Sequence, residues 1–346
     1  MYLVQLPEAD PYHMLFATRL ISAITKKLQD NVFALMTPTR KTFISVGYHE
    51  QMSKTVNLKL AKERGIPVIR RDTGGGTVII TKNQQGYRIG IYDRPSRVEE
   101  IYSLYLTPVI DVLKEYGKVE IRGQDLLLNG KKVSGNGAVT YDNITCITGS
   151  IIVKNDIAEL AYLLNVSSEK FKDKIAMSIK DWVTGLSEEV GREVTTDEVR
   201  EKLREVLLRK YNAKVYELKE EDLKYWDDIS KPEERDDRDR LSYVEGCFKV
   251  ASRVFLCNEE RKFRKLVNVT VRLVDGKIDD VTITGDFFVQ PRDLIEKLEK
   301  ALQGKTPWES AVVIKDVLRE GSIYGFTVDD LVSVFKDIGE KYLKRE

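Results

Sequence analysis

The sequence predicts an α+β chain in two parts. A larger body of mixed β-segments and helices precedes a smaller α+β domain at the C-terminus. Three observations carry this prediction. Segments of strand and helix periodicity alternate over the first half, and two Asx-Gly hairpin signals mark antiparallel pairing. A charged stretch, Ser230 to Arg240, with nine charged residues of eleven, interrupts the hydrophobic patterning. The 346 residues suit two domains of unequal size, placed at 1–235 and 241–346.

Element by element, Met1 to Gln5 reads as a short strand. Pro11 to Leu28 reads as a helix, with Leu15, Leu20, Ile21, Ile24 and Leu28 near helical spacing. Val32 to Thr37 and Thr42 to Gly47 read as strands, and Val56 to Glu63 as a helix closed by Gly65 and Pro67. Val68-Ile69-Arg70 starts a strand that runs into three glycines. Thr77 to Thr81 and Tyr87 to Tyr92 are further β-segments. Val98 to Tyr116 has one apolar face and reads as a single helix in which Pro108 can place a kink. Short strands fill Val119 to Val153. There Asn129-Gly130 fits a type I′ turn, because both central residues of that turn need positive φ. Asp156 to about Trp226 reads as mainly helical, with a helix start at Thr195 and Thr196. Ser230 to Arg240 reads as an exposed linker. Beyond it come β-segments at Lys249 to Leu256, Val267 to Val274 and Val281 to Thr284, with Asp275-Gly276 as a hairpin turn. Helices at Arg292 to Leu302, Pro307 to Val317 and Thr327 to Leu343 complete the order.

Composition excludes several function classes. The 56 Lys+Arg and 55 Asp+Glu residues leave a net charge of +1, which argues against a nucleic-acid-coating protein. No apolar run reaches the roughly 18 residues a membrane span needs, and no signal-peptide pattern opens the chain. Cys146, Cys247 and Cys257 are widely spaced, without a CxxC pair. They suggest no disulfide framework and a reducing, cytoplasmic setting. His13 and His49 are the only histidines, and neither sits in a zinc or triad motif.

Two segments carry candidate chemistry. In Arg70-Arg71-Asp72-Thr73-Gly74-Gly75-Gly76-Thr77-Val78, glycines permit close backbone approach by a ligand, and arginines supply forked donors for phosphate or carboxylate. A tight turn with solvated arginines fits the same residues equally well. In Asp125-Leu126-Leu127-Leu128-Asn129-Gly130-Lys131-Lys132-Val133-Ser134-Gly135, strand alternation places Lys132 and Ser134 on one face. Two solvated edge lysines are the alternative reading. Gly304-Lys305-Thr306 lacks the leading glycine of a P-loop, having Glu299 there, and reads as a helix end. Gly135-Asn136-Gly137 lacks the third glycine of a dinucleotide fingerprint.

Taken together, RRDTGGG and KVSG resemble the lipoate–protein ligase family, of the biotin/lipoate ligase fold. Pro11 to Ile21, Ile44 to Tyr48 and Asp181-Trp182-Val183-Thr184-Gly185-Leu186 are similar to further segments of that family. Leu266 to Gly304 resembles its small accessory domain. The resemblance implies a catalytic domain of mixed sheets flanked by helices. It also implies activation of lipoate with ATP to lipoyl-AMP, then transfer of the lipoyl group to a lysine of lipoyl-domain proteins. Those acceptors would be the glycine-cleavage H protein and the acyltransferase subunits of 2-oxoacid dehydrogenases.

By residue, it implies that Arg71, Gly76, Thr77, Val78 and Ile79 contact ATP or the adenylate. Gly74 and Gly75 would border the lipoyl tail, and Ser134 and Gly135 would shape the wall around it. Lys132 would be the catalytic cation bridging carboxylate and α-phosphate. Asp125 would serve ATP or Mg2+. The chain departs from the family pattern at Ile80-Thr81-Lys82, where a His-Asp pair is usual, at Gly137, and at Gly185, where Asn is usual. Rival readings are an octanoyl or lipoyl transferase of the same fold, acylated on Cys146, and a non-catalytic relative that binds lipoyl proteins. The glycine-arginine-rich loop of biotin ligases is missing.

Overall fold

In the computed structural model, residues 1–92, 98–165, 181–231 and 237–345 are described. The chain divides into two compact units. The first comprises Met1–Ser45, Asn57–Arg71 and Val78–Pro232; the second comprises Val46–Val56, Asp72–Thr77 and Glu233–Glu346. Two short segments of the N-terminal half, one of them the glycine triplet, therefore pack with the C-terminal residues.

The first unit is built on strands β1 (Tyr2–Leu6), β2 (Val32–Met36), β3 (Phe43–Val46), β4 (Val68–Arg70), β5 (Val78–Ile80), β6 (Gln84–Ile91), β7 (Val119–Arg122), β8 (Asp125–Leu128), β9 (Lys131–Tyr141), β10 (Ile144–Ile152) and β11 (Lys214–Val215). An eight-stranded sheet has the order β11-β1-β2-β6-β10-β9-β8-β7, and a three-stranded sheet the order β4-β3-β5. Pairing is parallel for β1 with β2 and with β11, and antiparallel from β2 to β7. One face of the large sheet is covered by the helix Pro11–Leu28, whose Ile21 and Ile24 are buried with Val139 and Cys146. The other face buries Leu126, Val133 and Ile147 with Val109, Leu203 and Leu207. Asp10 caps the first helix by accepting from the N–H groups of Tyr12 and His13.

The second unit carries an antiparallel sheet of β12 (Cys247–Ala251), β13 (Val254–Lys262), β14 (Leu266–Val274) and β15 (Lys277–Gly285) in that order. A two-stranded pair, β16 (Phe288–Gln290) and β17 (Ser322–Tyr324), accompanies it. Helices Leu294–Leu302, Ser310–Leu318 and Val328–Leu343 pack on this sheet through Leu298, Ile314, Leu331 and Phe335. Thr327 and Asp330 form a capping box at the start of the last helix.

Four expectations need correction. The span 98–116 is two helices, Val98–Tyr105 and Thr107–Leu113. Pro108 lies in the first turn of the second, where a missing N–H costs no helical bond. Lys249 to Leu256 is a hairpin rather than one strand, turning where Arg253 takes φ 60°. The stretch Ser230 to Arg240, described except for 232–236, is not wholly an exposed linker. Arg238 is buried against Glu296 and Glu299, and Arg240 bonds Glu299 and Asp280. Asp239 accepts from the N–H groups of Met52 and Ser53 at the start of a four-residue helix, Met52–Thr55. Finally, Cys247 and Cys257 are joined by a disulfide, because the β12–β13 register sets them directly opposite one another. Ten residues apart in sequence, they are neighbours across the hairpin, and the cysteine pattern therefore loses its weight as a sign of compartment. Within the helical stretch expected after Asp156, residues 166–180 lie outside the described residues. Among the described residues, no helix is long and apolar enough to cross a membrane.

Candidate active site

The β8–β9 hairpin turns at Asn129 (φ 50°) and Gly130 (φ 87°), as the Asn-Gly pair requires. Leu127 pairs with Lys132, whereas Leu126 pairs with Ser134, so Val133 is an extra residue in β9. This bulge overturns the simple alternation. Leu126 and Leu127 point to opposite faces, and their partners follow. Ser134 therefore faces the core that holds Leu126, while Lys132 lies on the other face. There its ammonium donates to Asp125 Oδ1 at 2.9 Å, and both side chains are 28% exposed. A Cβ on Gly135 would lie 3.1 Å from Lys132 Cε and Nζ. The hairpin thus keeps a place for a cation by leaving out one side chain.

The opposite face anchors this hairpin. The Tyr87 hydroxyl donates to Asn136 Oδ1 at 2.6 Å and lies 3.1 Å from Ser134 Oγ. Asn136 Nδ2 donates to the Gln124 carbonyl at 2.8 Å, tying β9 to the turn that precedes Asp125. Burial pushes the Tyr87 phenol above its ordinary pKa, so it stays a neutral donor. Gly149, directly opposite Asn136, leaves the space that the Tyr87 ring and the Asn136 amide occupy.

The segment Asp181–Leu186 runs along the same hairpin. Val183 bridges Lys132 in parallel, and the Thr184 N–H donates to the Lys132 carbonyl at 2.9 Å. Asn155 Nδ2 holds the Val183 carbonyl at 2.9 Å. Gly185 has no room for a side chain, since a Cβ there would strike Glu188 and the backbone of Lys154 and Asn155. Trp182 is 46% exposed and stacks under the Arg122 guanidinium, 5.2 Å from its ring centre.

Arg71, Val78 and Ile79 occupy the three-stranded sheet. Arg71 Nη1 donates to the Ser45 carbonyl at 2.9 Å, and Val78 and Ile79 pair with Ser45 and Ile44. Gly74, Gly75, Gly76 and Thr77 belong to the second unit. Gly75 has φ 88°, a value that favours glycine. A Cβ on Gly74 would collide with the Phe287 carbonyl, whereas at Gly76 the nearest atom would be 3.8 Å away. Asp72, almost fully buried, accepts from Arg292 Nη1 at 2.7 Å. Arg292 in turn lies over the Tyr48 ring at 4.6 Å, and the Tyr48 hydroxyl donates to Glu296 at 2.9 Å. Thr77 donates to Glu50 at 2.6 Å.

The structure therefore gathers Lys132, Asp125 and Gly135 into one constellation and places Ser134 behind it. Sequence reasoning missed Tyr87, Gly149, Arg122 and Arg292. Their partners are distant in sequence and become neighbours only through strand register or ring stacking. Cys146 is fully buried opposite Val139, four residues beyond Gly135 and so about 14 Å along the strand at roughly 3.4 Å per residue. Among the described residues no group of three or more His, Cys, Asp or Glu side chains could hold a metal.

A mixed sheet carrying a lysine on a bulged hairpin, joined to a smaller α+β unit, matches a known class. Residues 11–208 match the lipoyl protein ligase A/B catalytic domain, and residues 255–335 match the bacterial lipoate protein ligase C-terminus. The chain belongs to the lipoyl protein ligase A/B family. It is 27% identical over 280 residues to the lipoate-protein ligase LplJ of Bacillus subtilis, covering 80% of this chain and 81% of that one. It is 22% identical to the octanoyltransferase LipM of Lysinibacillus sphaericus, covering 53% of this chain and 77% of that one. In fold it is similar to P. falciparum LipL1, solved with lipoate, with TM-score 0.67, 16% identity and coverage of 97% and 99%. A lipoate-protein ligase A bound with ATP aligns with TM-score 0.56 and 16% identity over 66% of this chain and 94% of that one.

Proposed function

We propose that this chain is an ATP-dependent lipoate–protein ligase, with residues 1–235 as catalytic domain and 241–346 as accessory domain. The observation that carries the reading is the Lys132 ammonium on a rigid bulged hairpin, with Gly135 keeping its space open. In the first step a lipoate carboxylate oxygen attacks the α-phosphorus of ATP. An acyl–phosphate bond forms and pyrophosphate leaves with the electron pair of the broken P–O bond. Two anions must meet for this, and a fixed cation offsets their repulsion as charge grows. In the second step a protein lysine amine attacks the acyl carbon. The amide forms, AMP departs, and the amine loses its proton. The adenylate is itself the activated acyl donor, so neither step needs a nucleophile from the enzyme.

Arg71, Gly76, Thr77, Val78 and Ile79 are assigned to ATP and the adenylate, and Gly74, Gly75 and Gly135 to the lipoyl group, whereas Ser134, expected at that wall, is buried on the opposite face and serves the hairpin through Tyr87. Asp125 is a single carboxylate beside Lys132, which suits a Mg2+ that arrives on ATP phosphates rather than one held in a protein cage. Bound there, the ion would neutralise departing pyrophosphate. The acceptors are lipoyl-domain proteins, and the setting is cytoplasmic. The ligase relative and the ATP-bound neighbour support this reading. An octanoyltransferase relative keeps the transferase in view, but a cysteine sealed in the core on a distant part of the strand is poorly placed to carry an acyl group.

The test is pyrophosphate release with ATP and Mg2+ and, in turn, lipoate, octanoate or biotin, followed by mass analysis of an unlipoylated lipoyl domain. Lipoate-dependent pyrophosphate and a matching mass gain are expected. Acyl transfer without ATP, or pyrophosphate with biotin alone, refutes the assignment.

A further inference from the structure

Trp182 and Arg122 are unexplained by the chemistry above. A tryptophan left nearly half exposed forfeits much of the stabilisation its burial would bring. It also lies under a cation that reaches it from an exposed strand end. The two residues come from separate segments, and each stands one step from the Lys132–Asp125 pair. Trp182 precedes Val183, the residue that bridges Lys132. Arg122 is the direct ladder partner of Asp125. The result is a small rim of one aromatic and one cationic side chain beside the proposed reacting centre.

We infer that this rim is where the acceptor protein docks: Trp182 and Arg122 form a platform for the acidic surface that flanks the lysine of a protein domain. The inference rests on the ligase reading for the identity of the acceptor. The chemistry calls for such a surface. The second substrate is an amine carried by a protein, so a protein surface must come against the enzyme wherever the acyl carbon is held. Tryptophan and arginine are the residue types that carry most interface energy per side chain. An acidic flank is the complement of Arg122, whose strand partner Asp125 is already paired with Lys132. The platform sits at the rim and makes no hydrogen bond to Lys132 through a side chain. Its loss should therefore spare small substrates.

The test uses the full chain and an unlipoylated lipoyl domain of a 2-oxoacid dehydrogenase acyltransferase subunit. Binding of that domain is measured without ATP by biolayer interferometry for wild type, Trp182→Ala, Arg122→Glu and Trp182→Phe. Hydroxylamine then replaces the domain as a small acceptor, with pyrophosphate release as readout. The platform predicts at least a tenfold rise in Kd for Trp182→Ala and Arg122→Glu, substantial rescue by Trp182→Phe, and hydroxylamine turnover within twofold of wild type. The Arg122→Glu defect should shrink as salt rises. Unchanged Kd in both variants overturns the platform, as does a parallel fall in hydroxylamine turnover. If wild type releases no pyrophosphate at all, the ligase reading fails, and the Kd comparison still decides the platform.

Discussion

Replacing Gly135 with alanine puts a carbon where the Lys132 ammonium now has room. The new Cβ would lie 3.1 Å from Cε and Nζ and 3.7 Å from Asp125 Oδ1, while ordinary contacts begin near 3.4 Å. The lysine tip must retreat by about 0.3 Å. A misplacement of about 1 Å can cost about 10²-fold in rate, so a third of it scales to about fourfold. Valine fills more of the space, and its effect should approach the roughly 10²–10³-fold loss of removing one preorganised charge contact. Stability should move the other way. Gly135 has no positive φ, and alanine in its place reduces unfolded-chain freedom by about 0.4–1 kcal/mol. The assay is lipoate-dependent pyrophosphate release beside urea denaturation. Full activity in Gly135→Val, or activity and stability falling together in Gly135→Ala, refutes the claim that this glycine serves the ammonium rather than the fold.

Other variants probe separate parts of the account. Lys132→Ala should lose about 10²–10³-fold in adenylation, with its urea midpoint little changed; near-normal pyrophosphate release would remove Lys132 from its role. Cys146→Ala should keep both half-reactions within about twofold, and a folded but inactive variant would favour the acyl-cysteine transferase. Arg292→Ala withdraws the cation facing buried Asp72, and should cost about 1–2 kcal/mol in urea denaturation, since Arg292 is partly screened by solvent. Arg292→Lys should recover part of that loss. The forked hydrogen bonds from Arg192 hold the Glu198 carboxyl at about 2, below its ordinary 4.5. Its stabilising effect is therefore complete above about 4.5 and is lost as pH falls toward 2. Arg192→Met should return the Glu198 titration, followed by carbon-detected NMR, toward 4.5.

Local signals proved legible where one residue type has one use. Pro11–Leu28 is the helix that its periodicity indicates, and Asn129-Gly130 is the turn its positive φ angles demand. The resemblance to lipoate ligases was readable from two short motifs, and the family match bears it out. Features set by register were not readable. Nothing in Lys131 to Gly135 says that Val133 is surplus to the ladder, because the signal is its pairing with Leu126 and Leu127. The charges of Arg238 and Arg240 look solvated until Glu296, Glu299 and Asp280 are brought beside them. The cysteines failed for the same reason, since sequence spacing does not reveal which residues face each other across a hairpin.

The surplus residue at Val133 makes the direction of the proposed catalytic ammonium a matter of counting. One residue inserted in β8 opposite Val133 would even the ladder and leave every letter of β9 in place, yet it would turn Lys132 to the face of Ser134. Such a homologue keeps every motif letter and lacks the ammonium where the reaction needs it. Gaps in this hairpin accordingly deserve as much weight as substitutions when ligases are to be told from silent descendants.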